Sequence, residues 1–200
     1  MASIENHVIS TIDDYSKGNV ENAIMHACIA IDGSSQKYYS AGKSSRKNYK
    51  NFLRQYYWVI QPMIGGAINV STTKFGNIKS IEGISKPDLA DIIYHIFRCT
   101  HLHGNSVSTD FEFTYPKDGA VSWKFADGKL NIPIKILWAL LAVIVFSAVN
   151  KDVKSKGDYF LSLGKDKFII REWWGREKDF EPIAKKNEYQ TYTITGLGEN

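Results

Sequence analysis

Cysteine is scarce: Cys28 and Cys99 are the only two in 200 residues. Two thiols cannot build a dense disulfide framework, and the chain reads as an intracellular one. Neither Cys has a second one nearby, which removes the Cys-rich zinc modules. The N-terminal stretch MASIENHVISTIDDYSKGN holds no basic segment followed by an apolar one, so no secretory signal is expected. Long apolar runs are lacking as well. ILWALLAVIVFSAV, from Ile136 to Val149, has 14 residues and is bounded by Pro133, Lys135, Asn150 and Lys151. A spanning helix needs about 20 apolar residues. The run is expected to be the central helix of a core, apolar all round because it is enclosed all round. Also missing are GxxxxGK[ST], GxGxxG after a strand, GxSxG and HExxH. Adjacent carboxylates occur only as Asp13-Asp14, which fit a solvated helix face.

One further absence is local. From Gly33 to Ile81 there is no Asp or Glu, while Lys37, Lys43, Arg46, Lys47, Lys50, Arg54, Lys74 and Lys79 give the stretch a charge of +8. The whole chain carries only +4. Such asymmetry points to a polyanionic partner. A solvated face whose acids lie elsewhere in space would read the same way.

What is present is globular composition, 44% hydrophobic and 23% charged, in a length that suits one domain with a core of its own. Ile4, Val8 and Ile12 predict a helix over 3–16. Asn19 is a candidate cap for a second over 20–39, on the spacing of Val20, Ala23, Ile24, Ala27, Cys28 and Ile31. Ser44 or Ser45 can cap a third over 45–61, ended by Pro62 and Gly65-Gly66. Residues 65–84 predict a loop. Ser85 is the expected cap of a helix with Pro87 in its first turn and Leu89, Ile92, Ile93, Ile96 and Phe97 on its core face. The period then changes to two. Phe111, Phe113 and Tyr115, then Val121, Trp123 and Phe125, then Leu130 and Ile132 predict a hairpin or three-stranded meander, with turns at 116–119 and 127–128. A second hairpin is expected over 159–171 and a strand over 189–194. The fold class is mainly α: a helical bundle at 1–150 with a β insertion at 108–132, and a β-rich extension at 151–200 packed on it, in a single domain.

The densest reactive cluster is Tyr94-His95-Ile96-Phe97-Arg98-Cys99-Thr100-His101-Leu102-His103-Gly104-Asn105. One reading is a metal site of His101 and His103 with His95 or Cys99. Another pairs Arg98, a planar cation that grips phosphate oxygens, with His103, which titrates near neutrality. The two could converge on a phosphodiester at a helix exit. In RNA the 2′-hydroxyl is an internal nucleophile, so proton transfer and charge stabilisation suffice. A third reading pairs Arg98 with Asp88 or Asp91 and leaves the histidines on carbonyls.

The segment from Asp91 to Asn105, with Arg98, four intervening residues, His103 and Gly104, resembles the R-x4–6-H signature of the HEPN superfamily. The helices at 20–39 and 45–61 resemble the preceding helices of that bundle. The resemblance implies a metal-independent, cofactor-free endoribonuclease, toxin- or defence-like, cytoplasmic, with RNA as substrate. It implies a homodimer, with an antitoxin or regulatory protein as a partner and no membrane. Arg98 would hold the scissile phosphate and His103 would move the proton, supported by His101, Asn105 and Asp32. Cys99 stands where many members place Asn or Asp. Lys43, Arg46, Lys47, Lys50 and Arg54 would bind RNA phosphates. The alternative is a non-catalytic module that binds nucleotide or RNA or scaffolds a protein.

Overall fold

Ser3 opens the first helix: its hydroxyl accepts from the Asn6 amide at 3.2 Å. The computed structural model describes residues 3–66, 68–76, 78, 81, 83–103, 110–115 and 123–197, with the backbone alone at 98–103 and 196–197. Helices α1 (Ile4–Ser16) and α2 (Val20–Tyr38) form a helical hairpin through Lys17, Gly18 and Asn19. Asn19 precedes α2 as predicted, but its side chain makes no capping bond. Ser45 does cap α3 (Arg46–Gln55), accepting from the Asn48 amide. The predicted third helix is two: Tyr56 interrupts it, and α4 (Tyr57–Ile64) follows. Pro62 lies inside α4, which ends at Gly65 with φ 72°. The loop that follows contributes β1 (Lys74–Phe75).

Helix α5 (Leu89–His103) begins later than the Ser85 cap predicts. Asp88 and Asp91 explain the shift. Asp88 Oδ1 accepts from the Asp91 amide at 3.0 Å, and Asp91 Oδ2 accepts from the Asp88 amide at 3.2 Å. This is the reciprocal geometry of a capping box. Tyr57 Oη takes one more free donor, the Ala90 amide, at 2.8 Å. The predicted core face is buried throughout: Leu89, Ile92, Ile93, Ile96 and Phe97.

The strands of the insertion are β2 (Phe111–Thr114), β3 (Lys124–Ala126) and β4 (Lys129–Pro133). Their order is β2-β4-β3, with β2 parallel to β4, so the expected hairpin or meander is only half right. Strand β3 is short and exposed at Lys124, which suits an edge. Strand β4 buries Leu130 and Ile132 fully and takes the centre. The turn at 116–119 and Val121 lie outside the described residues.

Helix α6 (Lys135–Phe146) is the apolar run, and it is enclosed as predicted. It packs against α2 and α4, and every residue from Ala139 to Phe146 is buried. A 3-10 turn, Ala148–Asn150, closes it. No helix among the described residues is long and apolar enough to cross a membrane.

The second hairpin is β5 (Phe160–Leu163) and β6 (Asp166–Ile169), paired antiparallel. Its chain then turns helical: α7 (Ile170–Trp173) and α8 (Glu177–Lys186) make the C-terminal part less β-rich than expected. Phe180 of α8 stacks on Phe146 of α6 with centroids 3.9 Å apart and an 18° interplanar angle. Gly175 permits this approach. Its φ is 71°, its amide donates to Val145 O at 2.8 Å, and a Cβ there would lie 2.4 Å from Lys151 Cα. Tyr192 bridges to Ile68, and β7 (Thr195–Leu197) lies parallel to β1, slightly beyond the predicted strand. The chain is mainly α with small mixed sheets.

Candidate functional site

Helices α3 and α5 lie antiparallel, and this arrangement sorts the basic segment into two groups. At the C-terminal end of α3, Arg54 forks onto Asp88, with Nε to Oδ2 at 2.8 Å and Nη2 to Oδ1 at 3.1 Å. The same Nη2 reaches Asp91 Oδ1 at 3.2 Å. Lys50 Nζ donates to Asp91 Oδ1 at 2.7 Å, and Lys74 Nζ to Asp88 Oδ2 at 3.5 Å. Both carboxylates are buried, at 5% and 7% exposure. Burial pushes the Asp88 carboxyl up, but the Arg54 fork, the Asp91 amide and Lys74 outweigh it and hold it at about 2. Lys50 and Arg54, expected to bind RNA phosphates, are therefore engaged by carboxylates. The acids that the segment lacks in sequence are supplied by the start of α5. Asp88 and Asp91 are also the residues that one reading paired with Arg98.

At the other end of α3 the cations are free of acids. Lys43, Arg46 and Lys47 are exposed, and none makes an ion pair among the described residues. The Arg46 guanidinium lies over the Tyr94 ring at 5.9 Å. Tyr49 stacks on Phe97 with centroids 5.3 Å apart and a 6° interplanar angle. The start of α3 thus sits beside the later turns of α5. Arg98 is one helical turn beyond Tyr94.

Helix α5 runs through His103. At 3.6 residues per turn, positions 98 and 103 are therefore about 140° apart around the axis and about 7.5 Å apart along it. Positions 98 and 101 are about 60° apart. The side chains of Arg98, His101 and His103, and all of Asn105, lie outside the described residues. Asp32 is 9% exposed. It accepts from Gln36 Nε2 at 2.6 Å and Ser44 Oγ at 2.7 Å, which anchors the segment leading into α3. His95 is half-buried, with its ring 5.9 Å from that of Phe111. Burial pushes the Cys28 thiol up to about 12, so it stays protonated and unreactive.

The aromatics interleaved with the basic residues are mostly core. Tyr49, Tyr56 and Tyr57 are buried, while Tyr38 is 41% exposed. Tyr56 Oη donates to Glu177 Oε2 at 2.7 Å and accepts from Ser147 Oγ at 2.8 Å, tying α3 and α4 to α8. Trp173 packs edge-on against Phe168, and Trp174 Nε1 donates to Ser155 Oγ at 2.9 Å.

A second feature escaped the sequence. A cleft of about 960 Å³ opens between α1, the end of α4, the first turn of α6, the β5–β6 hairpin and Tyr189. Its walls come from five separate segments, so no local motif marks it.

Proteins similar to this chain are known from mycobacteria. The uncharacterized proteins Rv1289 and MT1327 of Mycobacterium tuberculosis are each 29% identical over 186 residues, covering 91% of this chain and 88% of theirs. The uncharacterized protein Mb1320 of Mycobacterium bovis matches to the same extent. No solved structure matches. The HEPN resemblance is overturned: it rested on a short pattern ending at His103, whereas a different family model matches residues 3–196. The chain belongs to the Rv1289 family.

Proposed function

We propose that the chain binds RNA across the start of α3 and the later turns of α5 and cleaves it there by internal transesterification. The observation that carries this reading is the set of cations left without acids. Arg46 and Lys47 occupy the first turn of α3, where no acid balances them. Positive charge there opposes the helix dipole and costs stability. Helix pairing does not account for them, and a polyanion would. RNA phosphates laid over Lys43, Arg46 and Lys47 would release counterions and bind without regard to sequence.

The cleavage step uses the substrate's own nucleophile. The 2′-hydroxyl attacks the adjacent phosphorus, the bond to the 5′-oxygen breaks, and a 2′,3′-cyclic phosphate forms. His103 takes the 2′ proton. A protonated imidazole, with His101 the nearest in sequence, returns one to the leaving 5′-oxygen. Arg98 holds the phosphoryl oxygens as charge develops on them. Because Arg98 and His103 stand well apart around α5, the substrate has to span the end of the helix, or a second subunit has to complete the site.

The test is incubation of the purified chain with end-labelled single-stranded RNA in EDTA, followed by analysis for cyclic phosphate ends. Arg98→Ala and His103→Ala should each lower cutting by about a hundredfold or more. Arg46→Ala/Lys47→Ala should weaken binding and flatten its salt dependence. Cutting that persists in both Arg98→Ala and His103→Ala would refute the nuclease assignment. The unpaired cations also favour a second reading, a non-catalytic RNA-binding module. It gives salt-sensitive binding with no product and the same loss in the Arg46/Lys47 variant.

A further inference from the structure

The cleft between α6 and the β5–β6 hairpin has the character of a small-molecule site. Its volume of about 960 Å³ lies near the top of the range for such sites. Met63, Leu161 and Leu163 are buried in its floor, with half-buried Trp138 beside them. Phe160 and Tyr189 stand at its rim, 48% and 49% exposed. Two half-exposed aromatics beside buried apolar residues give the cleft an apolar mouth as well as an apolar floor.

The charges around the cleft are unequal. Asp158 lines it but is engaged by Arg171. Asp13 lies behind the wall and accepts from Tyr159 Oη at 2.9 Å. Both carboxylates therefore have partners. Lys135 lines the cleft, is half-buried, and pairs with no acid among the described residues. It is also the first residue of α6, whose preceding residue supplies no side-chain cap. A cation in that position opposes the helix dipole, and no ion pair among the described residues compensates for it. Lys167 adds positive charge at the rim, with its ammonium 3.7 Å from the centroid of the Phe160 ring.

We propose that this cleft binds a medium-chain fatty acid, its alkyl body on Trp138, Met63, Leu161 and Leu163 and its carboxylate on Lys135. The apolar floor asks for a long hydrocarbon body. Lys135, which lines the cleft with no acid partner among the described residues, asks for one negative charge at the end of that body. A zwitterion or a cation would leave Lys135 unmatched, and a small polar acid would leave the floor empty. This site is separate from the α3–α5 face, and its test does not depend on RNA binding.

The experiment is isothermal titration of the purified 200-residue chain with octanoate, decanoate and dodecanoate below their micellar concentrations. Decanol and decyltrimethylammonium serve as charge controls. Saturable binding at one site is expected, tightening about fourfold for each methylene added. Decanoate should bind about tenfold or more tightly than decanol. Lys135→Met should remove that preference and leave decanol binding unchanged. Ser162→Trp, a substitution at an exposed residue of the cleft wall, should weaken every ligand by filling the space. Circular dichroism melting of both variants establishes that they are folded. Three outcomes would overturn the proposal: no saturable binding to the wild type, equal affinity for decanoate and decyltrimethylammonium, or an unchanged decanoate preference in folded Lys135→Met.

Discussion

Asp88 both caps α5 and neutralises the inner end of the basic segment. Asp88→Asn isolates the second role. An Asn oxygen can still accept from the Asp91 amide, so the cap survives. What is lost is the charge facing Arg54 and Lys74. The carboxyl is held at about 2, below its ordinary value of 3.8. At about 1.4 kcal/mol per unit, that difference corresponds to about 2 kcal/mol of stability at neutral pH. This is an upper figure for the substitution, since Arg54 and Lys74 are 35% and 41% exposed and can return to water. Leaving a fully buried partner behind would cost about 3–5 kcal/mol.

The sign fixes the pH window. The folded carboxyl ionises more readily than the unfolded one, so its contribution is complete above the unfolded value of 3.8. It is lost as the pH falls from there toward 2. Urea unfolding of wild type and Asp88→Asn, repeated from pH 7 down to pH 2, tests this. The two should differ by about 1–2 kcal/mol at pH 7, and most of that gap should be gone by pH 2, where the wild-type carboxyl is about half protonated. If Asp88→Asn matched wild type at pH 7, or the gap persisted unchanged at pH 2, the charge network would not be what stabilises the α3–α5 contact.

Two more perturbations follow from the fold. Gly175→Ala should destabilise by about 2–4 kcal/mol, since it combines a strained positive φ with a backbone clash against Lys151; thermal melting reads it, and near-wild-type stability would show that the turn can relax. His7 and His26 meet across α1 and α2 with Nδ1 atoms 2.9 Å apart, and His26 Nε2 lies 3.5 Å from Asp14. Burial and then the neighbouring His26 push the His7 pKa down from 6.5, so the unfolded chain takes up its proton first. Stability should be complete above about pH 6.5 and fall as the pH drops below it. The melting temperature between pH 7.5 and 5.5 should fall less in His7→Gln than in wild type.

Much of the helical framework was legible because periodicity reports burial. The face of α5 from Leu89 to Phe97 and the all-round burial of α6 follow directly from residue spacing. Helix α8 was missed for a physical reason. Pro182 sits in its interior and its mean composition is polar, so only Phe180 and Ala184, four residues apart, mark a buried side. Its acids at Glu177 and Asp179 and its bases at Lys185 and Lys186 match the helix dipole and could have signalled it. Strand order was illegible from alternation, because a period of two says which residues are buried and nothing about neighbours. The edge position of β3 follows from its length and exposed Lys124, both visible only once β4 is seen to be buried. The cleft was beyond reach for a different reason: its lining residues run from Ile12 to Tyr189.

The charge pattern shows most clearly how sequence and space differ. Along the chain, Lys43 to Arg54 is one uniform basic stretch. In the fold it is divided, and the division has a cause. Acids near the start of a helix are favoured by its dipole, so α5 carries Asp88 and Asp91 at its beginning. Antiparallel packing then brings the end of α3, not its start, to those acids. Lys50 and Arg54 are matched as a consequence, and Lys43, Arg46 and Lys47 are left over. The leftover cations lie beside the half of α5 that holds Arg98, His101 and His103, so positive charge collects where the only histidine-dense segment of the chain lies. A charge reversal at this end separates the two explanations. Lys47→Glu should abolish RNA binding if the surplus exists for a polyanion, because it turns an attraction into a repulsion. It should also raise stability slightly, by about 0.3–1 kcal/mol, because an acid in the first turn of α3 suits the dipole. Filter binding and urea unfolding on the same preparation read both effects. A variant that gained stability while binding RNA as tightly as wild type would show that the basic end of α3 serves no nucleic acid.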